Sequence, residues 1–360
     1  MGFRCGIVGL PNAGKSTLFN ALTSAAVAAE NYPFCTIEPN KGVVEVPDQR
    51  LARIAQLSEP KKIVSAVMEF VDIAGLVSGA SHGEGLGNRF LGHLREVDAI
   101  AHVVRGFERE DVSHVAGHVN PVADIHTVDT ELGLADIETL ERALERAKRG
   151  AQSGDDNQRM NQKIFEAARS VIGTDRGLGA LGPDVVKRLT PLCLLTAKPV
   201  VYIVNLGGAS HDLALMEKVR AHANSLGSET VEINAAIEQE IAGLGAEERE
   251  EFVREFGLGE CGLDRVVQAG YRLLSLHTFF TIRSQELRAW AVPIGTSAID
   301  AAEKIHTDFA RGFIRAETIS FDDFICFGGE KGAREAGRLR LEGRDYVVND
   351  GDILNFRFNV

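Results

Sequence analysis

A segment close to the N-terminus, residues 9–16, limits the possible folds of this chain more than any other feature. Its sequence, GLPNAGKS, fits the pattern G-x-x-x-x-G-K-[ST] of a phosphate-binding loop, or P-loop. Its glycines let successive backbone N–H groups curl around an anion, and Lys15 supplies a point charge for the β- and γ-phosphates. Phe3–Val8 predicts a buried strand before the loop, and residues 16–22 predict a helix whose N-terminus favours an anion. Together they predict a nucleotide-binding α/β domain.

Length and composition are those of a globular protein. The 360 residues suggest two or three domains, and a hydrophobic content of 44% is ordinary for such a chain. No apolar run reaches the length of a membrane span, and the N-terminus lacks a signal-peptide pattern. The five cysteines are scattered without a C-x-x-C pair, which indicates reduced thiols and no zinc site. We therefore expect a cytoplasmic protein with no membrane partner.

The charge balance restricts the range of partners. A formal net charge of −12 argues against indiscriminate binding to nucleic acid. Residues 331–344 are locally basic, but the interspersed Glu335 and Glu342 favour a solvated face there. We expect no sequence-specific DNA partner.

The chain divides into three regions by pattern. Residues 67–71 and 99–104 are continuously apolar, as in strands of a parallel sheet that is covered on both faces. Two later helical faces, separated by a break at 150–155, predict an antiparallel hairpin; they consist of Ile137, Leu140, Leu144 and Ala147, and of Ile164, Ala167, Ala168 and Val171. We predict a nucleotide-binding domain at 1–125 and 196–275, a helical insertion at 126–195, and a further domain at 276–360.

The C-terminal region predicts a small α+β module. Its four strand-like segments surround one helix at about 297–309; the segments are 279–282, 289–292, 344–348 and 354–358.

Four residues are predicted to form a magnesium and γ-phosphate site. Asp72 directly follows a predicted strand, where it can hold water on Mg²⁺, and the N–H of Gly75 can face a γ-phosphate. Thr36 lies in a proline-bounded loop, where it can complete the coordination of Mg²⁺ when a γ-phosphate is present. Ser16 offers its hydroxyl to the same ion. The predicted metal ligands are thus Ser16, Thr36 and Asp72.

The sequence also predicts slow or assisted hydrolysis. Leu76 stands where small GTPases place a water-orienting glutamine, and an aliphatic side chain cannot bind the attacking water. The glycine-rich residues 79–87 have the composition of a mobile lid; His82, Glu84 and Arg89 are candidates for delivery to the phosphate. Asn12 is placed to help bind K⁺ beside the phosphates, which would supply charge in place of an arginine.

The base-reading segment favours adenine. Guanine-specific switches carry Asn-Lys-x-Asp at a strand end, whereas this chain has Asn205-Leu206-Gly207-Gly208. Guanine would leave its N1–H and NH₂ groups unpaired, while a backbone carbonyl near Leu206 could accept from adenine. Asn234 and Ala235 follow the next strand and are predicted to form the other wall. ATP is therefore expected to bind more tightly than GTP.

These motifs resemble those of the YchF/Obg-like ATPase family. The resemblance covers nearly the whole chain, and its most specific stretches are residues 1–20, 31–40, 69–88, 306–309, 312–317 and 350–360. It implies an Obg-type P-loop NTPase domain with a mostly parallel sheet, a coiled-coil insertion and a C-terminal TGS domain of β-grasp-like type. It also implies Mg²⁺-dependent ATP hydrolysis with low basal turnover, stimulation by K⁺ and association with ribosomes.

The motifs above assign most residue roles, and the resemblance adds His114. Lys15, Gly75 and His114 would serve catalysis, although the residues alone do not distinguish His114 among ten histidines. The nucleotide would contact Asn12, Ala13, Gly14, Lys15, Ser16, Thr17, Asn205, Leu206, Asn234 and Ala235. The family motif is Asn-x-x-Glu, and this chain has Gly208 in place of the glutamate.

Three functions remain open at this point. The first is a switch ATPase whose ATP-bound form associates with the ribosome, through ribosomal RNA or protein. The second is a nucleotide-regulated binding module with negligible turnover, which Leu76 favours. The third is a GTPase in ribosome assembly, which the sequence from Asn205 to Gly208 disfavours.

Overall fold

The computed structural model describes residues 3–24, 40–73, 86–109, 114, 117–174, 177–208, 212–245, 248 and 261–359. Its strands are β1 (Phe3–Val8), β2 (Lys41–Glu45), β3 (Lys62–Val64), β4 (Val67–Asp72), β5 (Ala99–Arg105), β6 (Val200–Asn205), β7 (Glu229–Ile233), β8 (Leu276–Arg283), β9 (Glu286–Pro293), β10 (Phe313–Ile319), β11 (Arg340–Glu342) and β12 (Ile353–Phe358). Its α-helices are α1 (Lys15–Ser24), α2 (Gln49–Ser58), α3 (Leu86–Glu96), α4 (Pro121–Gln152), α5 (Asp156–Val171), α6 (Pro183–Leu189), α7 (Asp212–Ser225), α8 (Ala235–Ala242), α9 (Gly262–Leu273), α10 (Ala298–Ile305), α11 (Thr307–Arg311), α12 (Phe321–Cys326) and α13 (Glu330–Glu335). Among the described helices, none combines the length and apolarity that a bilayer span needs.

The first sheet is mostly parallel and has the strand order β2-β4-β1-β5-β6-β7. The edge strand β2 runs antiparallel to its neighbour, β4. Every residue of β5 is buried, as expected for a strand that is covered on both faces of a parallel sheet. The predicted α/β fold with a mostly parallel sheet is confirmed.

Two helical layers cover this sheet. Side chains of α1 and α9 pack with those of β1 on one face, in the core that includes Ile7, Leu18 and Val266. On the other face, α3 and the first turns of α4 form a second core, which includes Leu94 and Val128. The carboxyl ends of the parallel strands therefore lie between two packed layers, at the edge where α/β proteins bind ligands.

The helical hairpin has a core of its own. In it, Leu140 and Leu144 of α4 pack with Ile164 and Ala168 of α5. Where the chain returns, fully buried Asp136 of α4 accepts hydrogen bonds from the N–H groups of Leu195 (2.9 Å) and Thr196 (2.8 Å). These bonds fix the base of the hairpin. The division of the chain into domains stays a prediction.

The second sheet has the strand order β11-β10-β12-β8-β9-β3. The central pair, β12 and β8, is parallel, and β8 and β9 form an antiparallel hairpin. The outer strand β3 comes from the N-terminal third of the chain and pairs in parallel with β9. The pairing of β3 with β9 therefore joins the N-terminal third of the chain to the second sheet.

Two sequence expectations in this sheet are wrong. Residues 344–348 form no strand: Val347 makes one isolated bridge to Ser297. Asp352 accepts from Tyr346 Oη (2.7 Å) and from Asn349 N (2.9 Å), which holds the segment in a loop before β12. The helix expected at 297–309 is two helices, because His306 is extended (φ −165°, ψ 140°) and its Nδ1 accepts from Asp308 N at the start of α11.

Candidate nucleotide site

The loop between β1 and α1 packs too closely for side chains at its glycines. A Cβ at Gly9 would lie 2.2 Å from the carbonyl oxygen of Val103 in β5, and one at Gly14 would lie 2.2 Å from Asn205 Nδ2. Both glycines also have positive φ angles, +147° and +99°. Asn12 (φ +63°) occupies the left-handed region, which asparagine tolerates better than most residues. The loop thus has the tight backbone that an anion-binding cradle needs.

Lys15 begins α1 and lies against the loop. Its side chain is buried, and Nζ donates a hydrogen bond to the carbonyl oxygen of Leu10 (2.9 Å). Burial lowers the pKa of the ammonium, and the nearby charge of Asp72 opposes that shift. A buried cation held inside the loop is placed to meet an anion that enters it.

Asp72 ends β4 next to the loop, because β4 pairs in parallel with β1 and places Asp72 in register with Ile7. Burial raises the pKa of this carboxyl, and the charge of Lys15 acts in the opposite direction. Its Oδ1 is buried and has no hydrogen-bond partner among the described residues. Ser16, the residue after Lys15 in α1, is exposed. An unsatisfied carboxylate oxygen and an accessible hydroxyl suit the oxygen ligands of a hydrated Mg²⁺ ion.

Asn205, at the end of β6, connects the loop to the opposite wall. Its Nδ2 donates to the carbonyl of Ala13 (3.0 Å), and its Oδ1 accepts from the N–H of Ala235 (3.0 Å). An amide NH₂ carries two hydrogens, so a second hydrogen remains for a ligand. The sequence predicted Asn205 near the base but did not reveal that its side chain holds two loops together.

The structure also describes the other residues that are predicted to contact the nucleotide. Leu206 is partly buried, and its N–H donates to the carbonyl of Ile233 (2.8 Å). Asn234 caps α8 by accepting from the N–H of Ile237 (3.2 Å). Ala235 is fully buried. Thr17 belongs to α1 and is partly buried.

Glu238 in α8 is a buried carboxylate that sequence reasoning missed. Its oxygens accept from the N–H groups of Gly262 (2.8 Å) and Leu263 (3.3 Å) and from the Cys261 thiol (3.0 Å). These bonds satisfy the N-terminus of α9 and fix it beside the wall. The signal is absent from the local sequence, because the carboxylate lies 24 residues from the helix start that it caps.

His114 meets a carboxylate of α4. Its Nε2 lies 3.0 Å from Asp124 Oδ2, and both side chains are almost completely buried. Asp124 is in the first turn of α4. The predicted residues Thr36, Gly75, Leu76, His82 and Glu84, and the side chain of Arg89, lie outside the described residues.

A second histidine lies beneath the loop. His102 of β5 is in register with Val8 of β1 and is 2% exposed. Burial, followed by the charges of Lys15 and His222, lowers its pKa to about 3. The imidazole is therefore neutral at physiological pH and adds no charge to that of Lys15. The continuous apolar character of its strand is the only sequence signal for this residue.

This arrangement defines the class of protein. The loop, its buried lysine and the Asp72 carboxylate meet where the parallel strands end, so the chain is a P-loop nucleotide-binding protein.

Comparisons with known proteins narrow this class. Residues 4–143 match the family described as "50S ribosome-binding GTPase", and residues 276–359 match YchF-GTPase_C, described as "Protein of unknown function (DUF933)". The proteins named "Ribosome-binding ATPase YchF" from Haemophilus ducreyi, Escherichia coli O157:H7 and Bacillus subtilis are 53%, 52% and 46% identical, with full coverage of both chains. The Schizosaccharomyces pombe YchF GTPase structure aligns with a TM-score of 0.87 at 34% identity, over 99% of this chain and 98% of that one. The chain belongs to the YchF family.

Proposed function

We propose that this chain is a ribosome-binding ATPase in the cytoplasm that uses binding and slow hydrolysis of ATP to switch its association with the ribosome. The observation that carries the proposal is the arrangement of Lys15, Asp72 and Asn205 around one loop. The names of the full-length relatives support the reaction and the partner. The domain division at 1–125 with 196–275, 126–195 and 276–360 is part of this proposal.

Phosphate binding is assigned to the loop and its lysine. The N–H groups of residues 12–17 and the ammonium of Lys15 would hold the β- and γ-phosphates, with the γ-phosphate displacing the bond from Lys15 to Leu10. Charge–charge contact with a phosphate is stronger than the bond to a neutral carbonyl. Ser16 and Thr36 would hold Mg²⁺ directly, and Asp72 would hold its water shell. When bound, Mg²⁺ neutralises charge that develops on the phosphate oxygens.

Base selection is assigned to the wall that Asn205 builds. Gly208 provides no carboxylate for the N1–H and NH₂ groups of guanine, and the buried Glu238 already accepts from three groups of the protein. A guanine bound against this wall would lose the hydrogen bonds that its N1–H and NH₂ groups make with water. Adenine has fewer hydrogen-bond donors to satisfy. A backbone carbonyl near Leu206 suffices for its N6 amino group. We therefore propose that ATP binds more tightly than GTP.

Hydrolysis is assigned to backbone and histidine groups. The N–H of Gly75 would face the γ-phosphate, and His114 would orient or accept a proton from the attacking water. Asp124 holds the imidazole of His114, as a carboxylate does when it fixes a catalytic histidine. Asn12 would help bind a K⁺ ion that stimulates turnover. Leu76 removes the usual glutamine, which accounts for low basal activity.

A second candidate function is GTP hydrolysis at the same site. Gly208 is exposed and has no side chain that would reject guanine. The S. pombe relative is named a GTPase. A nucleotide-dependent binding module with negligible turnover is the remaining alternative, and Leu76 is the observation that favours it.

Phosphate release separates these functions. ATP and GTP would be supplied with Mg²⁺ to the wild type and to Lys15→Ala, with and without ribosomes. The proposal expects slow release from ATP, faster release in K⁺ than in Na⁺, a change on adding ribosomes, and none from Lys15→Ala. Release from GTP alone would support the second candidate, and no release with ribosomes present would support the binding module.

A further inference from the structure

Three metal-ligating side chains meet away from the phosphate-binding loop. His126 and Asp129 of α4 and His222 in the last turn of α7 each present one ligand atom, and these atoms all lie within 4.8 Å of one another. His126 and Asp129 are three positions apart, which places them on one face of their helix. The described residues thus bring two imidazoles and one carboxylate to a single point between two helices.

The packing of the two helices explains why these groups meet. Ile125 of α4 packs with Met216, Val219 and Ala223 of α7 in one buried cluster against the first sheet. The adjacent rings of His126 and His222 have centroids 5.0 Å apart and stand nearly perpendicular, at 79°. Tyr202 of β6 lies on the sheet side, with its ring 6.1 Å from that of His222. The ligands are therefore carried by rigid elements that the core already holds in place.

We propose that His126, Asp129 and His222 form a site for a divalent transition-metal ion, best matched by Zn²⁺. Two nitrogen donors and one carboxylate oxygen are a common zinc ligand set, and the fourth position of a tetrahedral site would be filled by water. Imidazoles distinguish it from the magnesium site at Asp72, because Mg²⁺ prefers oxygen ligands.

Metal binding would require the three ligand atoms to move only slightly closer together. Zinc–ligand bonds of about 2.0–2.2 Å place tetrahedral ligands roughly 3.5 Å apart. His126 is exposed, so its side chain can rotate toward the half-buried Asp129 and His222 without displacing core residues. The scattered cysteines predict no zinc site, and the ligands here are two histidines nearly 100 residues apart and one aspartate, on two helices.

The site would connect the base of the helical hairpin to the nucleotide-binding sheet. α4 carries Asp124, which contacts His114, only two positions before His126. A metal ion bound to both α4 and α7 would therefore hold the part of α4 that positions His114. The ion would hold the two helices together, and its fourth coordination position would be occupied by water.

Cobalt absorption tests the site in the full chain. Co²⁺ would be titrated into nucleotide-free protein in excess Mg²⁺, and Zn²⁺ would then be added in competition. The expected result is one Co²⁺ per chain with visible bands typical of nitrogen and oxygen ligands, and displacement by one equivalent of Zn²⁺. Absence of such bands, or intense thiolate charge-transfer bands from an exposed thiol such as Cys193 or Cys326, would overturn the proposal.

Variants locate the bound ion. His126→Ala removes an exposed ligand and is expected to fold, and Asp129→Asn keeps the shape of its side chain; each should weaken Co²⁺ binding at least tenfold. His118→Ala removes another exposed histidine and should leave binding unchanged. Zn²⁺ should raise the Tm of the wild type and of His118→Ala but not that of the two ligand variants. Equal Co²⁺ affinity, or an equal rise in Tm, in all four proteins would contradict the assignment.

Discussion

The side-chain amide of Asn205 donates a hydrogen bond to the carbonyl oxygen of Ala13 over 3.0 Å, which joins the end of β6 to the phosphate-binding loop. The same side chain accepts from Ala235 N, so a single residue spans the site. Both bonds are buried, and a buried group that loses its partner costs about 1–3 kcal/mol.

Asn205→Ala is therefore expected to weaken ATP binding at least tenfold and to lower the free energy of unfolding by about 1–3 kcal/mol. Calorimetric titration and urea unfolding measure the two effects. Asn157→Ala, on the exposed surface of α5, is the matched control and should change neither. Wild-type affinity in Asn205→Ala would show that the connection does not organise the nucleotide site.

Asp72→Asn tests the proposed magnesium contact. The amide keeps the shape of the side chain but removes the charge that would hold the water shell of Mg²⁺. We expect the gain in ATP affinity on adding Mg²⁺ to fall about tenfold or more, while affinity without Mg²⁺ is unchanged or higher. Titrations in Mg²⁺ and in EDTA measure this difference. Asp345→Asn, an exposed substitution in the C-terminal region, should retain the full Mg²⁺ effect, and a normal effect in Asp72→Asn would refute the contact.

The His114–Asp124 pair tests the catalytic assignment. If the imidazole acts on the attacking water, Asp124→Asn should lower kcat about tenfold or more because the carboxylate no longer orients the ring, while ATP affinity stays the same. His114→Ala should lower kcat at least as much. Single-turnover phosphate release measures kcat, and His118→Ala is the control. A loss confined to ATP affinity would indicate a binding role instead.

The ion pair between Arg50 and Asp350 joins α2 to the loop before β12 and makes stability depend on pH. The guanidinium lies 2.8 Å from the carboxylate, which also accepts from Thr278 N (2.9 Å). Burial raises the pKa of Asp350, but the bonds from Arg50 and Thr278 outweigh it and bring the pKa below its ordinary value. Because the folded-state pKa is lowered, the stabilisation is present above the unfolded pKa of about 3.9 and is lost as the pH falls through the folded value.

Asp350→Asn should therefore destabilise the protein by about 1 kcal/mol at pH 7, since the carboxylate is 55% exposed and water screens the pair. The difference from the wild type should shrink as the pH falls below about 4. Urea unfolding across pH 3–7 measures it. A difference that stays constant or grows in acid would contradict a lowered pKa at Asp350.

Local sequence signals predicted the parts of the fold that depend on short segments. The loop pattern located β1 and α1, because glycines and a lysine at that spacing have one common structural use. Apolar runs located β4, β5 and β6, which are largely buried in the sheet. Residues 344–348 were predicted wrongly, because their β-branched and aromatic side chains belong to a loop around Asp352.

Long-range relationships could not be predicted in the same way. The pairing of β3 with β9, and the bonds of Glu238 to the start of α9, join segments that carry no local sign of each other. The cluster at His126 and His222 likewise requires the packing of α4 on α7 before it exists. No local sequence pattern connects His126 and Asp129 with His222.

Nucleotide binding and its selectivity can be measured together by calorimetric titration of ATP and GTP in Mg²⁺, on the wild type and on Lys15→Ala. We expect one ATP per chain, GTP binding at least tenfold weaker, and no heat from either nucleotide with Lys15→Ala. Absence of heat from ATP with the wild type, or GTP binding as tight as ATP binding, would refute the proposed ATP site.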